Sequence, residues 1–269
     1  MGTQTPPAAG TVSAAGFAGL PGAVAVSHLR VYDWEAPDGV RGGTPHLHLT
    51  CSEGYVVTAG RGAVQTLGPA GFAVTPLAPG SLVWFTPGTI HRLVNEDALR
   101  IVVLMQNSGL PEAGDAVLTL PPEYLTDPET YARAAGLPAA SRASEGEQAA
   151  AARRRRDLAV EGFTVLRTAW EAGDPGPLLD FQRAAAALVR PRLARWRERW
   201  EAGAAEAARQ TGAQLDLLAA GDASYLAEAR LHTRLPAARG GFGMCGRLDT
   251  YDIPGPGTDI PGPGTLTPS

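Results

Sequence analysis

The sequence predicts a mainly β domain followed by a helical appendage. Three observations carry this reading. Short Val-, Leu- and Thr-rich runs separated by turn residues fill residues 22–108. Ala-rich segments with helical start signals begin near residue 121. A Pro/Gly duplication closes the chain, and two such units cannot bury a core.

Within 22–108, Ala23 to Trp34, Thr44 to Thr50, Tyr55 to Ala59, Ala63 to Leu67, Phe72 to Leu77, Leu82 to Phe85 and Leu99 to Gln106 read as strands. Gly60-Arg61-Gly62, Gly68-Pro69, Pro79-Gly80 and Pro87-Gly88 punctuate them. Short strands at near-regular spacing imply a sandwich or barrel. Residues 22–120 form the expected β domain, and 1–21, rich in Ala, Gly, Pro and Thr, form an expected mobile segment.

Helical signals dominate 121–235. Asp127-Pro128-Glu129 reads as an N-cap followed by Pro at the first helical position. Ala-rich stretches near 145–172, 177–210 and 213–232 follow, interrupted at Gly173–Pro177 and near Gly212. Leu178, Phe181, Ala185, Leu188, Arg192 and Trp196 recur at three-to-four spacing, and this face needs either the barrel or a homodimer partner to cover it. Pro191 should kink or divide that helix. Residues 236–269 read as a Gly/Pro-rich tail in which Phe242 to Tyr251 is the segment able to dock, with Gly240-Gly-Phe-Gly-Met244 a flexible turn and Asp252–Thr258 repeated as Asp259–Thr265.

Composition excludes several functions. Net charge is −4, with no basic footprint for nucleic acid. All 23 basic residues are Arg, which excludes a Schiff-base or pyridoxal-phosphate lysine and a P-loop lysine. The four consecutive arginines Arg153–Arg156 spread over all helix faces and read as a solvated girdle, with Glu145, Glu147, Asp157 and Glu161 as counter-charges. No run approaches the ~20 apolar residues of a membrane helix, and the start lacks a secretory n-region. Cys51 and Cys245 are too few for a disulfide framework. A soluble, cytoplasmic protein is the expectation.

The chemistry concentrates in Thr44-Pro-His-Leu-His-Leu-Thr50. Side chains alternate along a strand, so His46 and His48 project from one face and Leu47 and Leu49 from the other. Glu53 follows after enough chain to return a carboxylate to the same cavity, and His91 lies on a turn into a later strand. Three imidazoles and a carboxylate suit Mn, Fe, Co, Ni, Cu or Zn. Cys51 reads as a core residue in preference to a soft fifth ligand. Tyr55 shares parity with Glu53, and Gln65 and Trp84 are further candidates for contacting substrate.

These residues resemble the two motifs of the cupin superfamily. The first runs Gly, five residues, His-x-His, three or four residues, Glu, six residues, Gly. His46, His48, Glu53 and Gly60 match it, with Gly39 one place early. The second runs Gly, five residues, Pro-x-Gly, two residues, His, three residues, Asn. Gly80, Gly88, His91 and Asn95 match it, with Thr86 at the proline position and Pro87 one step later. The resemblance covers about a third of the chain and stops short of the helices. It implies a double-stranded β-helix barrel over about 22–108, with one divalent transition metal on His46, His48, Glu53 and His91 as in quercetin-dioxygenase-like cupins.

Three functions follow as expectations. The first is dioxygenase-type oxidation of a small organic substrate, with Glu53 and Tyr55 as catalytic residues and Gln65 and Trp84 as substrate contacts. The second is non-redox isomerase, epimerase, lyase or decarboxylase chemistry on a sugar or carboxylic acid. The third is a binding or sensor module without turnover. A wall of Val, Leu, Phe, Trp and Met favours the first.

Overall fold

The computed structural model describes residues 19–253. The β strands are β1 (Ala25–Val31), β2 (His46–His48), β3 (Glu53–Gly68), β4 (Gly71–Leu77), β5 (Leu82–Phe85), β6 (Ile90–Met105) and β7 (Ala116–Leu118). Helices α1 (Pro128–Ala135), α2 (Glu145–Glu171), α3 (Gly176–Val189), α4 (Leu193–Ala202) and α5 (Ala204–Ala219) follow. The chain then returns to the sheet as β8 (Ala238–Phe242) and β9 (Gly246–Thr250).

All strand pairings are antiparallel, and β3 and β6 organise them. The first half of β3 pairs with β5 and with the second half of β6, which also pairs with β1. The second half of β3 pairs with β4 and with the first half of β6, which also meets β2 at His46 and His91. Both long strands therefore run through two layers, the double-stranded β-helix arrangement. Register shifts between Val57 and Gly62 absorb the bend. Gly60 sits in this bulge at φ 75°, where a Cβ would lie 2.3 Å from the Asp97 carbonyl oxygen. Gly60-Arg61-Gly62, expected to separate two strands, is thus a bulge within one.

The sequence also understated β6. Only Leu99 to Gln106 reads as a strand, because Arg92, Asn95, Glu96 and Asp97 interrupt the apolar pattern. Pairing with β3 and β2 recruits Ile90 onward despite those residues.

The division near residue 120 is a change of secondary structure and not of core. Leu178, Phe181, Ala185, Leu188 and Trp196 join barrel residues such as Leu47, Leu93 and Ile101 in one hydrophobic cluster. That helical face is buried within the chain, against α1, α2 and the turn before β7, where Trp196 Nε1 donates to the Ala113 carbonyl at 3.3 Å. Asp127 caps α1 by accepting from the Glu129 and Thr130 amides, as its sequence signature predicts. Ser144 and Glu147 form a capping box on α2. Where α2 crosses the barrel, Gly162 lets the backbones meet, since a Cβ there would stand 2.1 Å from the Thr119 carbonyl oxygen. Pro191 divides α3 from α4 through a 3-10 turn over Arg190–Arg192. The expected break near Gly212 falls instead at Gly203, and α5 ends at Ala219, short of the predicted stretch to 232.

Two further expectations are corrected. Part of the predicted tail is sheet: β9 pairs with β1 from Ser27 to Val31, and β8 pairs with β9. The Gly-rich run Gly240–Met244 is built into this hairpin, whose Tyr32 contact runs from the phenol to the Gly243 carbonyl at 2.9 Å. Residues 1–18 and nearly all of the duplicated repeat lie outside the described residues. The arginine run is not a solvated girdle either. Arg155 and Arg156 are buried, because α2 lies against the barrel and turns one side of the run inward. Arg156 donates to the Trp34 and Glu35 carbonyls at 2.7 and 2.8 Å. Arg155 donates to Gly243 at 2.6 Å, while Arg153 stacks over Trp34 at 4.2 Å.

Among the described residues no helix is long and apolar enough to cross a membrane.

Candidate metal centre

Four residues from three strands converge inside the barrel. β2 supplies His46 and His48, the start of β3 supplies Glu53, and the start of β6 supplies His91. One donor atom from each lies within 4.8 Å of all the others. All four side chains are buried.

The imidazoles are oriented from behind. His46 Nδ1 donates to the Thr44 carbonyl at 2.9 Å, and His91 Nδ1 donates to the Thr89 carbonyl at 3.1 Å. His48 Nδ1 meets the Asp115 carboxylate at 3.0 Å. Nδ1 of His46 and of His91 therefore carries the proton and Nε2 presents its lone pair to the centre, while His48, held between two carboxylates, turns Nε2 to the same point. His46 Nε2 and His91 Nε2 stand 3.1 Å apart. Glu53 Oε2 is 3.0 Å from His91 Nε2 and 3.2 Å from His48 Nε2, yet it has no hydrogen-bond partner of acceptable geometry. Lone pairs and a buried carboxylate oxygen aimed at one another fit a cation between them, and this donor set can hold a divalent metal.

Electrostatics agree with the geometry. Burial holds His46 well below its ordinary value, with the neighbouring His91 and His48 adding to the effect. Burial also opposes ionisation of Glu53, but His91 and the His48 contact outweigh it and keep the carboxylate charged. His48 goes the other way. Burial lowers its pKa, but hydrogen bonds to Asp115 and Glu53 push it up to about 9. A metal must therefore displace a proton from His48 at neutral pH. Fewer protons compete as pH rises, so affinity should increase about tenfold per pH unit between 6 and 8 and level off above 9. Chelator competition across that range, with proton release followed in weak buffer, checks the slope.

Asp115 is the residue that sequence reasoning missed. It is fully buried at the end of a π-helical turn, Pro111–Asp115, just before β7. Besides His48 it accepts from the Thr50 amide at 2.8 Å and the Thr50 hydroxyl at 2.6 Å. The available signal was an acid directly ahead of the apolar run Ala116-Val-Leu-Thr-Leu120, which pairs with β2. Asp115→Asn points an amide N–H at one of these donors and loosens His48. Metal affinity should fall about 10–100-fold, measured by the same competition; unchanged affinity would show that Asp115 only fills space.

The other expected site residues separate clearly. Tyr55 is buried, and its ring packs against Phe85 with centroids 5.2 Å apart. Its hydroxyl has no hydrogen-bond partner. Burial, then the Glu53 charge, raises its pKa well above that of a free phenol, so the hydroxyl keeps its proton. Gln65 lies opposite Arg92, whereas its neighbour Thr66 lies opposite His91. Alternation therefore turns Gln65 to the face away from the centre. Trp84 is 71% exposed. Parity explains it: Phe85 pairs with Glu53 and faces inward, while Trp84 pairs with Gly54 and faces out. Phe85, unremarked in the sequence, lies 4.1 Å from the His91 ring, centroid to centroid. Cys51 belongs to the hydrophobic core and is not among the four donors.

No protein-family model matches this sequence, and no curated protein matches it in sequence. Among solved structures, the chain is similar to an uncharacterized conserved protein with a double-stranded beta-helix domain from Klebsiella pneumoniae. That match has 18% identity over 32% of this chain and 67% of the other, with a TM-score of 0.25. It is also similar to Pac13 from Streptomyces, a nucleoside dehydratase, at 16% identity over 35% of this chain and 66% of that one, TM-score 0.27. KdgF from Halomonas sp. matches at 25% identity over 24% of this chain and 58% of that one, TM-score 0.22.

Proposed function

We propose that the chain is a metal-dependent enzyme acting on a small organic substrate, and that its chemistry is dioxygenase-type oxidation. One observation carries the proposal: the four convergent donors stand beside an aromatic wall of Tyr55 and Phe85, with the Tyr55 hydroxyl buried among them. A buried phenol beside the donors is a group that a purely structural site does not need.

A divalent transition metal held by His46, His48, Glu53 and His91 would supply Lewis-acid or redox chemistry. The protein's own residues do the rest. Phe85 shields the His91 side of the centre from water. Glu53, kept ionised by His91 and His48, accepts a proton at Oε2. Tyr55, held neutral, donates a hydrogen bond from its hydroxyl to a substrate oxygen. An apolar aromatic surround suits an aromatic or weakly polar substrate.

The unpartnered Tyr55 hydroxyl beside Glu53 also favours a second reading, non-redox isomerase or lyase chemistry, because two adjacent groups of opposite protonation state are what proton shuttling requires. Oxygen uptake over a panel of small aromatic and carboxylic substrates separates the two. Uptake stoichiometric with product supports oxidation; turnover without oxygen, tolerant of Zn, supports the second. Glu53→Gln should lower turnover by at least about 100-fold while metal content falls far less, since the amide coordinates weakly but accepts no proton. Ligand bound tightly and recovered intact under air with every metal tried would replace both readings with a sensor.

A further inference from the structure

A cavity in the helical layer is lined by none of the four candidate metal donors. It has a volume of about 220 Å³ and lies between α1 and α2, lined by Tyr124, Arg133, Ala151, Arg154, Arg155 and Leu158 among others. It contains no acidic side chain. Arg155 is only 7% exposed. Its terminal nitrogens donate to the Ala135 and Gly243 carbonyls at 3.3 and 2.6 Å, but its buried Nε has no partner. Among the described residues no carboxylate pairs with Arg155 or Arg154; Arg133 alone reaches one, Glu129, at 3.4 Å on the surface.

A guanidinium buried without a counter-charge costs several kcal/mol unless an anion compensates it. Carbonyl oxygens take up its terminal nitrogens but bring no net charge. Arg154 and Arg133 add positive potential at the mouth, and a low-dielectric wall of Ala151, Leu158 and the Tyr124 ring strengthens it. The volume falls below the ~300 Å³ of a drug-sized pocket. We infer that this cavity binds a small organic carboxylate, its charged end held by Arg154 over the uncompensated charge of Arg155 and its apolar part against Leu158 and Tyr124. The planar guanidinium fork of Arg154 matches a carboxylate in geometry as well as in charge.

The test uses the full metal-loaded chain in calorimetric titrations with benzoate, succinate, benzamide and inorganic phosphate. Saturable binding of a carboxylate, weakened by salt and at least about tenfold weaker in Arg154→Gln, is the expected result. Arg154 is exposed, so this variant keeps the fold even where replacing Arg155 disrupts it. No saturable carboxylate binding, equal binding of benzamide, or a preference for phosphate overturns the inference. So does binding that survives Arg154→Gln and disappears in His91→Ala, which places the carboxylate on the metal. These outcomes are independent of which reaction the metal centre performs.

Discussion

His91→Ala should reduce bound metal from about one ion per chain to less than about a tenth of that. His91 is the donor from β6 that closes the set, and it is fully buried with its Nε2 3.1 Å from His46 and 3.0 Å from Glu53. Removing it leaves two imidazoles and a carboxylate on one side of an opened centre. Elemental analysis of both proteins after identical preparation checks this. Metal should also raise the melting temperature of the wild type, because it binds the folded constellation and not the dispersed ligands. The same ion should leave His91→Ala unmoved. A wild type that takes up no metal on titration would remove the ground for any metal-dependent reading.

Arg156→Ala should destabilise the protein by about 3–5 kcal/mol, on the scale for breaking a buried charged network. The side chain is 1% exposed and joins α2 to the segment after β1 through the Trp34 and Glu35 carbonyls. Truncation leaves both acceptors facing a cavity. Against a typical total of roughly 5–15 kcal/mol, that loss reaches the cooperative unit itself, because helices and barrel share one core. Chemical denaturation should show one transition at lower midpoint. Arg154→Ala, on the same run but exposed, should change stability by less than about 0.5 kcal/mol. Equal effects from both positions would mean that the run acts through net charge alone.

The four convergent candidate donors were legible because they obey local rules. His46 and His48 share a face by strand parity, and fixed spacings to Glu53 and His91 resemble motifs whose geometry a barrel must reproduce. The helix starts at Asp127 and Ser144 were equally local, since a cap side chain reaches only its own first turn. Pro191 divided α3 from α4 for the same kind of reason.

Long-range partners decided the rest. Asp115 lies 67 residues from His48, and no spacing rule connects them. Phe85 and Trp84 are adjacent in sequence, and only the register with Glu53 and Gly54 says which of them faces the centre. Arg153–Arg156 is a uniform run whose inward pair is chosen by the surface α2 meets. The hairpin of β8 and β9 looks like a loose tail, because Gly-rich segments carry little intrinsic strand preference. What makes it sheet is the open edge of β1, which supplies backbone partners from Ser27 to Val31. The sequence by itself determined the donors, the caps and the change from strand to helix; the tertiary structure decided which buried charges, faces and edges those elements would share, because pairing and burial depend on neighbours brought together from distant parts of the chain.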